Sequence, residues 1–172
     1  INDRLMKIGI QICEDIWDDD YNYKVSTLQK EMGAELIINI SASPYHENKI
    51  NERIEHVSLK AKQLKLPFIY CNMIGGQEEL IFDGSSFAVS KDGFLLSQAR
   101  SFKEDLKIVN LSSNKKHISS IICREEEIFN ALCLGVKDYF LKTGYEKTVL
   151  GLSGGIDSAL VATIAAEALG KE

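Results

Sequence analysis

Residues 151–158 form a stretch rich in glycine and serine, with the sequence Gly-Leu-Ser-Gly-Gly-Ile-Asp-Ser. The stretch follows a strand-like run at 147–150 and precedes a helix predicted over 159–169 and ended by Gly170. A glycine loop at such a junction exposes backbone N–H groups and directs a helix N-terminus at an anion. The loop lacks the lysine of kinase-type loops, and Asp157 stands where phosphate would bind. The pattern therefore indicates a phosphate site in which Asp157 holds a bridging Mg²⁺.

This loop resembles the pyrophosphate loop of the ATP pyrophosphatases, which cleave ATP to AMP and pyrophosphate and thereby activate a carbonyl oxygen. The resemblance implies an ATP site made of Gly151, Leu152, Ser153, Gly154, Gly155, Ile156, Asp157 and Ser158. It also implies that Asp157 is the Mg²⁺ ligand. The alternative is an ordinary glycine-containing turn before a buried helix.

Cys13 is a second residue that could do chemistry. It ends the strand-like run 5–12 and is followed directly by Glu14 and Asp15. A nucleophile at a strand-to-loop elbow is exposed yet rigidly placed, and a thiol is the easiest side chain to activate. The neighbouring acids disfavour a thiolate unless a base or cation comes from elsewhere. From these residues alone, a nucleophile and a buried structural cysteine both remain open.

Three sequence motifs occur in order along the first half of the chain: Ile-Cys-Glu-Asp-Ile-Trp at 12–17, Asn-Ile-Ser-Ala-Ser-Pro at 39–44, and Gly-Gly-Gln-Glu-Glu-Leu-Ile-Phe-Asp-Gly at 75–84. Their order and spacing are similar to the carbon–nitrogen hydrolase (nitrilase) domain of glutamine-dependent NAD synthetases. In that family a synthetase domain with a pyrophosphate loop follows, and residues 151–158 stand in the matching place. The resemblance covers nearly the whole chain.

The resemblance implies roles for residues in the first part of the chain. The family uses a Glu base, a Lys that stabilises the oxyanion and a Cys nucleophile; Cys13 matches the nucleophile, whereas the other two lie upstream, before Ile1. Ser43 and Lys49 match positions that bind the amino-acid end of glutamine, and Glu14 either orients the substrate or lies behind the site. The simpler alternatives are a turn residue for Ser43 and a solvated helix start for Lys49.

The sequence also predicts the surroundings of these candidate site residues. Asn48 stands where the family usually has glycine, and His46 offers a less favoured, protease-like partner for Cys13. We expect His56 at the surface and a tight turn within 75–84 at the rim of the site.

The hydrophobic pattern predicts an α/β fold in two parts. Residues 1–110 are expected to form the latter part of an αββα nitrilase-like sandwich, 111–124 a linker, and 125–172 the start of a doubly wound, parallel-sheet ATP pyrophosphatase domain. The predicted strands are 5–12, 35–40, 68–74, 87–90, 94–97, 107–111 and 147–150, and the predicted helices are 21–32, 50–65, 125–141 and 159–169.

Composition narrows the class of protein. The net charge of −5 argues against a general nucleic-acid binder, and no apolar run approaches the roughly 20 residues of a membrane span. The cysteines show no C-x-x-C spacing, so we expect no zinc site, and we expect Cys71, Cys123 and Cys133 to be buried thiols in a reducing compartment. The interpretation is a cytoplasmic homo-oligomer without nucleic-acid or membrane partners.

The implied reaction joins deamido-NAD, ATP and glutamine to give NAD, AMP, pyrophosphate and glutamate, through a thioester on Cys13 and an adenylated intermediate. Residues 1–172 by themselves are expected to be an inactive segment of a longer enzyme. Three alternatives stay open: another ammonia-using enzyme such as a GMP or asparagine synthetase, a stand-alone nitrilase or amidase, and a non-catalytic nucleotide-binding assembly module.

Overall fold

The computed structural model describes residues 5–112, 117–118 and 122–170. Its strands are β1 (Ile8–Ile12), β2 (Leu36–Ser41), β3 (Phe68–Asn72), β4 (Ile74–Gln77), β5 (Leu80–Asp83), β6 (Phe87–Val89), β7 (Leu95–Gln98) and β8 (His117–Ile118). Its helices are α1 (Val25–Glu31), α2 (Lys49–Leu64), α3 (Arg124–Thr143) and α4 (Ile156–Leu169). Within the described residues, no helix is both long and apolar enough to cross a bilayer.

Six of the described strands form one mixed sheet, in the order β1-β2-β3-β6-β7-β8. β1, β2 and β3 are parallel neighbours, joined through α1 and α2, whereas β6 and β7 pair antiparallel as a hairpin. Parallel neighbours need a crossover connection, and the two helices supply it. The carboxyl ends of β1, β2 and β3 therefore meet at one edge of the sheet, where the segments after Cys13, Ser41 and Asn72 begin.

The core lies between one face of this sheet and helix α2. It is built from residues that the sheet and helix bury together: Ile16, Ile37, Val57, Ala61, Leu66, Phe68, Tyr70, Phe87 and Val89. Gly9 on β1 is required for close packing on the same face, because a Cβ there would lie 2.6 Å from Ile37 Cδ1 and 2.7 Å from Gln29 Oε1.

The opposite face of the sheet carries exposed isoleucines. Ile8, Ile10 and Ile12 alternate along β1 with exposed fractions of 46%, 53% and 71%, and Ile40 on β2 is 54% exposed. Side chains two residues apart on a strand share one face, so these residues form a continuous apolar strip.

β4 and β5 form a separate antiparallel hairpin, on which helix α3 packs. Asp138 accepts a hydrogen bond from the Gly76 amide at 2.8 Å, and Lys142 donates to the Gly76 carbonyl. A Cβ on Gly76 would lie 3.2 Å from Gly135 Cα, so the helix backbone contacts the hairpin directly. Helix α3 also packs against α4, and it thereby connects the hairpin to the loop at 151–155.

The structure corrects several expected elements. Gly75 and Gly76 lie in β4 rather than in a loop, since both pair with residues of β5. The expected strands at 107–111 and 147–150 are absent, because neither segment has a ladder partner among the described residues. Much of the expected linker, 113–116 and 119–121, lies outside the described residues.

Candidate active site

Cys13 lies directly after β1, at the first residue of a single 3₁₀ turn, Cys13–Ile16. Its φ is +45°, a left-handed conformation that costs a non-glycine residue on the order of 1–2 kcal/mol. Two hydrogen bonds hold the turn: Asn39 Nδ2 donates to the Cys13 carbonyl at 3.2 Å, and the Ile12 amide donates to Asp15 Oδ2 at 2.8 Å. The side chain of Cys13 is half-buried. The left-handed φ and the two hydrogen bonds make the predicted elbow a sharp and restrained turn.

His56 supports this turn from helix α2. Its ring stacks on Trp17 with centroids 4.2 Å apart, and its Nε2 lies 2.7 Å from the Ile16 carbonyl oxygen. The expectation that His56 is a surface residue is therefore wrong, since only 14% of its side chain is exposed. His56 lies on α2 next to the buried side of that helix, and its ring therefore packs beneath the 3₁₀ turn that begins at Cys13.

Lys49 lies beside the same turn. Its Nζ is 5.1 Å from the centroid of the Trp17 ring and 3.0 Å from Glu52 Oε2. Lys49 is the first residue of α2, and it follows Asn48, whose φ is +69°. Asparagine tolerates this left-handed conformation, so Asn48 meets the backbone requirement that glycine would otherwise meet. The carboxylate of Glu14 is exposed on the turn itself.

Ser43 is buried, and its polar atoms are held by two side chains. Its amide donates to Asn72 Oδ1 at 2.9 Å, its carbonyl accepts from Arg53 Nη2 at 2.8 Å, and its Oγ accepts from Arg53 Nε at 3.1 Å. Arg53 also donates to both carboxylate oxygens of Asp83, at 2.7 and 2.9 Å. This buried network joins the segment after β2 to the ends of β3 and β5.

Sequence reasoning missed Arg53 and Asp83. Both are almost completely buried, at 0% and 3% exposure, although a buried charge is costly unless it is paired and hydrogen-bonded. A signal was present, because Arg53 stands among the apolar positions of α2 and Asp83 ends an otherwise apolar run, Leu80–Asp83.

The rim of the site includes residues of helix α3. Arg124 forms a two-point ion pair with Glu47, at 2.6 and 3.0 Å, and this pair holds the pKa of Glu47 below its usual range. Burial, with the nearby charges of Glu127 and Asp83, raises the pKa of Tyr45 to about 12. Burial also raises the pKa of Glu127, and Asp83 and Glu47 add to this shift.

The structure also bears on the predictions for His46 and for the three other cysteines. His46 contacts the Glu47 carbonyl and Glu52, and no hydrogen bond joins it to Cys13 in the described part of the chain. Cys71 and Cys133 are only partly buried, not fully buried as expected, and this partial burial raises the pKa of both thiols. Cys123 is exposed, contrary to expectation, because it precedes the first turn of α3 at the helix end.

The loop at 151–155 leads into the N-terminus of α4. Gly154 has a φ of +85°, and the space around Gly151 and Gly154 is open, since a Cβ at either would meet nothing within 4 Å. Ser158 Oγ accepts from the Ser153 amide at 3.3 Å and lies 3.1 Å from Ser153 Oγ, which bends the loop back over the helix start.

Asp157 lies exposed in the first turn of α4, beside this open loop. No group of three or more potential metal ligands occurs within the ranges described, and Asp157 is the acidic side chain beside the loop that could hold a Mg²⁺ ion. An exposed carboxylate beside an open glycine loop at a helix N-terminus fits a Mg²⁺–nucleotide complex.

Comparisons with known proteins agree with both parts of the chain. The family model for carbon–nitrogen hydrolases matches residues 1–115, and the model for NAD synthase matches residues 128–172. The glutamine-dependent NAD(+) synthetase of Synechocystis is 46% identical over 97% of this chain, and that of Thermotoga maritima is 38% identical over 97%. A solved glutamine-dependent NAD+ synthetase from Acinetobacter baumannii, in complex with ADP, superposes with a TM-score of 0.83 at 35% identity and covers 96% of this chain.

The chain spans about a third of these proteins, namely 32% and 35% of the two curated relatives and 32% of the solved structure. The matches run through both the cysteine turn and the glycine loop, in the order expected from the sequence. The chain therefore belongs to the carbon–nitrogen hydrolase family, and a segment that matches NAD synthase follows the hydrolase part.

Proposed function

We propose that this chain contributes the glutamine-hydrolysing nucleophile and the ATP loop of an enzyme that amidates deamido-NAD with ammonia from glutamine. The observation that carries the proposal is the pairing of two features in one chain: a cysteine held at φ +45° after a strand, and an open glycine loop with an acid at a helix start. Residues 1–110 serve the first step, and residues from 125 onward serve the second.

In the first step, the thiolate of Cys13 attacks the carboxamide carbon of glutamine. The carbon–nitrogen bond breaks, the leaving nitrogen takes up the proton that the thiol gave up and departs as ammonia, and a γ-glutamyl thioester remains on Cys13. Water then attacks the thioester and releases glutamate and the thiol. The rigid turn favours this chemistry, because a nucleophile held in place loses little freedom when it reacts.

Ser43 and Lys49 bind the amino-acid end of the substrate in this proposal. A lysine ammonium attracts the α-carboxylate, and a hydroxyl adds a directed hydrogen bond. The contact of Lys49 with Trp17, at 5.1 Å, supports the assignment, because it places the cation beside the Cys13 turn. Glu14 lies on the turn, where its carboxylate can contact the substrate ammonium or order nearby groups.

In the second step, ATP binds at residues 151–158, and the loop amides and Ser158 hold its phosphates. Asp157 would hold Mg²⁺, which would supply neutralisation of the phosphate charge. The nicotinate carboxylate displaces pyrophosphate. Ammonia then displaces AMP and forms the carboxamide of NAD. The free cysteines among the described residues are compatible with a reducing, cytoplasmic compartment.

A covalent label tests the nucleophile directly. The full-length protein is incubated with a glutamine analogue that carries a diazoketone in place of the carboxamide, and its peptides are mapped by mass spectrometry. We expect one adduct on Cys13, blocked by excess glutamine, with no adduct on Cys71 or Cys133, whose thiol pKa values are raised. A label spread over several cysteines, or one that glutamine does not block, would contradict the proposal.

A further inference from the structure

The sheet face that packs on α2 changes from apolar to polar as the strands approach the Cys13 turn. On β2, Ile37, Asn39 and Ser41 share this face, because side chains two residues apart on a strand point the same way. Ile37 belongs to the apolar core, whereas Asn39 lies nearer the carboxyl end of the strand and is 0% exposed. A buried amide is costly unless its polar atoms are hydrogen-bonded, so the partners of Asn39 indicate its role.

Both polar atoms of the Asn39 side chain have partners. The Cys13 carbonyl only accepts hydrogen bonds, so the atom 3.2 Å from it is the amide nitrogen Nδ2, which donates. Oδ1 then faces the buried Ser41, whose hydroxyl donates to it at 2.5 Å. Ser41 thus sets the orientation of the amide, and the amide directs its donor at the backbone of Cys13, 26 residues earlier in the chain.

This contact falls on a strained backbone. Cys13 is not a glycine and yet has a φ of +45°. A left-handed residue persists only where its surroundings hold it, and one side-chain hydrogen bond is of similar size to the cost of that conformation. The bond from the Ile12 amide to Asp15 lies within the turn itself, whereas Asn39 ties the turn to β2. Without this donor the backbone relaxes toward an ordinary φ, and that rotation moves the Cys13 thiol.

We infer that Asn39 is a positioning residue: its amide holds the Cys13 turn in the left-handed form that aims the thiol at the carboxamide carbon, and Ser41 orients that amide. The inference rests on the proposed role of Cys13 as the glutaminase nucleophile. It predicts that loss of the Asn39 donor slows attack on a bound substrate by a thiol that is still present and still reactive.

Labelling of the full-length protein by the diazoketone analogue of glutamine separates binding from attack. Its concentration dependence gives a rate constant at saturation, which reports attack by Cys13, and a half-saturating concentration, which reports binding. We expect Asn39→Leu, which keeps a similar volume and removes the donor, to lower the saturating rate constant about 10- to 100-fold, because a small misplacement of a reacting group costs that much. The half-saturating concentration should stay within about 3-fold, since Ser43 and Lys49 are unchanged.

Iodoacetamide supplies a second reading, because this small alkylating reagent needs no substrate pose. Its rate of reaction with Cys13, followed on the Cys13 peptide by mass spectrometry, should change less than about 3-fold in Asn39→Leu, since it depends on the access and acidity of the thiol. A positioning role therefore slows the diazoketone and spares iodoacetamide.

Gln11→Met is the matched control. Gln11 pairs with Asn39 across β1 and β2, is equally buried and also carries an amide, but its Nε2 donates to Ser26 and Gln29 of α1 instead of the Cys13 turn. Its diazoketone rate constant should stay within about 3-fold of the wild-type value, because the contact it loses is not shared with the turn.

Ser41→Ala tests the same device with a milder change. It leaves the Asn39 amide without the donor that orients it, so we expect a fall in the saturating rate constant of about 3- to 10-fold. Ammonia-dependent NAD synthesis reports on the folding of each variant. Should Asn39→Leu fail to fold, the rate constant of Ser41→Ala decides.

Three results would overturn the inference: saturating rate constants at the wild-type value in the folded Asn39 and Ser41 variants, an equal fall in Gln11→Met, or an equal fall with iodoacetamide. A failure of the proposed function has a different signature, because the wild-type protein would then show no label on Cys13 that glutamine blocks.

Discussion

Asp18 offers a sharp test of how the segment after the Cys13 turn is held. Its carboxylate is 1% exposed; it accepts from Lys60 Nζ at 2.5 Å and from the Val25 amide at 2.6 Å, where α1 begins. Asp19 contacts the same Lys60 at 2.9 Å, but 67% of its side chain is exposed. The two neighbouring acids thus share one partner and differ in burial.

Replacing Asp18 with alanine leaves the buried Lys60 ammonium with one exposed partner and leaves the Val25 amide uncapped. Breaking a buried pair by removing one member costs about 3–5 kcal/mol, and a lost helix cap costs about 1 kcal/mol. Because Asp19 still offers part of a pair, we expect about 4 kcal/mol for Asp18→Ala. For Asp19→Ala, an exposed pair, we expect less than about 1 kcal/mol.

Hydrogen exchange of the amides of α1 and β1 measures this difference as a local opening free energy. About 4 kcal/mol corresponds to exchange roughly 1,000-fold faster in Asp18→Ala, against less than about 6-fold for Asp19→Ala. Equal rates in the two variants would refute the reasoning, since burial would then not decide the strength of the pair.

Three further outcomes are expected. Because burial raises the pKa of Glu127, its proton is bound more tightly in the folded state; its stabilising effect is complete below the ordinary pKa and is lost as the pH rises through the raised one. Glu127→Gln should therefore raise the thermal midpoint at neutral pH and not in acid, and an unchanged midpoint at pH 7 would contradict this. Asp157→Asn should reduce NAD synthesis from both glutamine and ammonia by 10-fold or more and weaken Mg²⁺-dependent ATP binding, while glutamine hydrolysis persists; Mg²⁺ titrations of both proteins check it. Residues 1–172 expressed alone should self-associate through the exposed strip around Ile10 and Ile40 and release no ammonia from glutamine, which light scattering and an ammonia assay would measure.

The elements that the sequence predicted well are those with local causes. The apolar run before Ser41 gives β2, and the apolar spacing from Ile50 gives α2, within one residue of the expected bounds. Gly144 ends α3 in a left-handed conformation, with φ of +76°, as its position after the helical pattern indicates.

The elements that the sequence predicted wrongly depend on contacts between residues far apart in the chain. A strand at 147–150 needs a neighbour to pair with, and composition cannot show whether one is present. Gly75 and Gly76 fit a loop by composition, yet they form β4 because Gly135 and Asp138, some 60 residues later, pack closely on them. Such contacts between distant residues leave no local pattern in the sequence.

In the candidate site, too, residues in local motifs were predicted and contacts between distant residues were not. Cys13, Ser43 and Lys49 were found through motifs, and the structure brings Cys13 and Lys49 to the same turn through Trp17. The Arg53–Asp83 pair joins residues 30 positions apart; Asp83 lies in the run at 75–84 but Arg53 lies in no motif, so the pairing emerged from the structure.

The central claim is that Cys13 releases ammonia from glutamine for a synthetase step that can also use free ammonia. The most direct measurement compares NAD formation by the full-length protein and its Cys13→Ala variant, with either glutamine or an ammonium salt as the nitrogen source. We predict that the variant loses glutamine-dependent synthesis by at least about 1,000-fold and keeps ammonia-dependent synthesis within about 2-fold, because removing the nucleophile removes the covalent route alone. Glutamine-dependent synthesis that survives in the variant, or the loss of both activities together, would contradict the account.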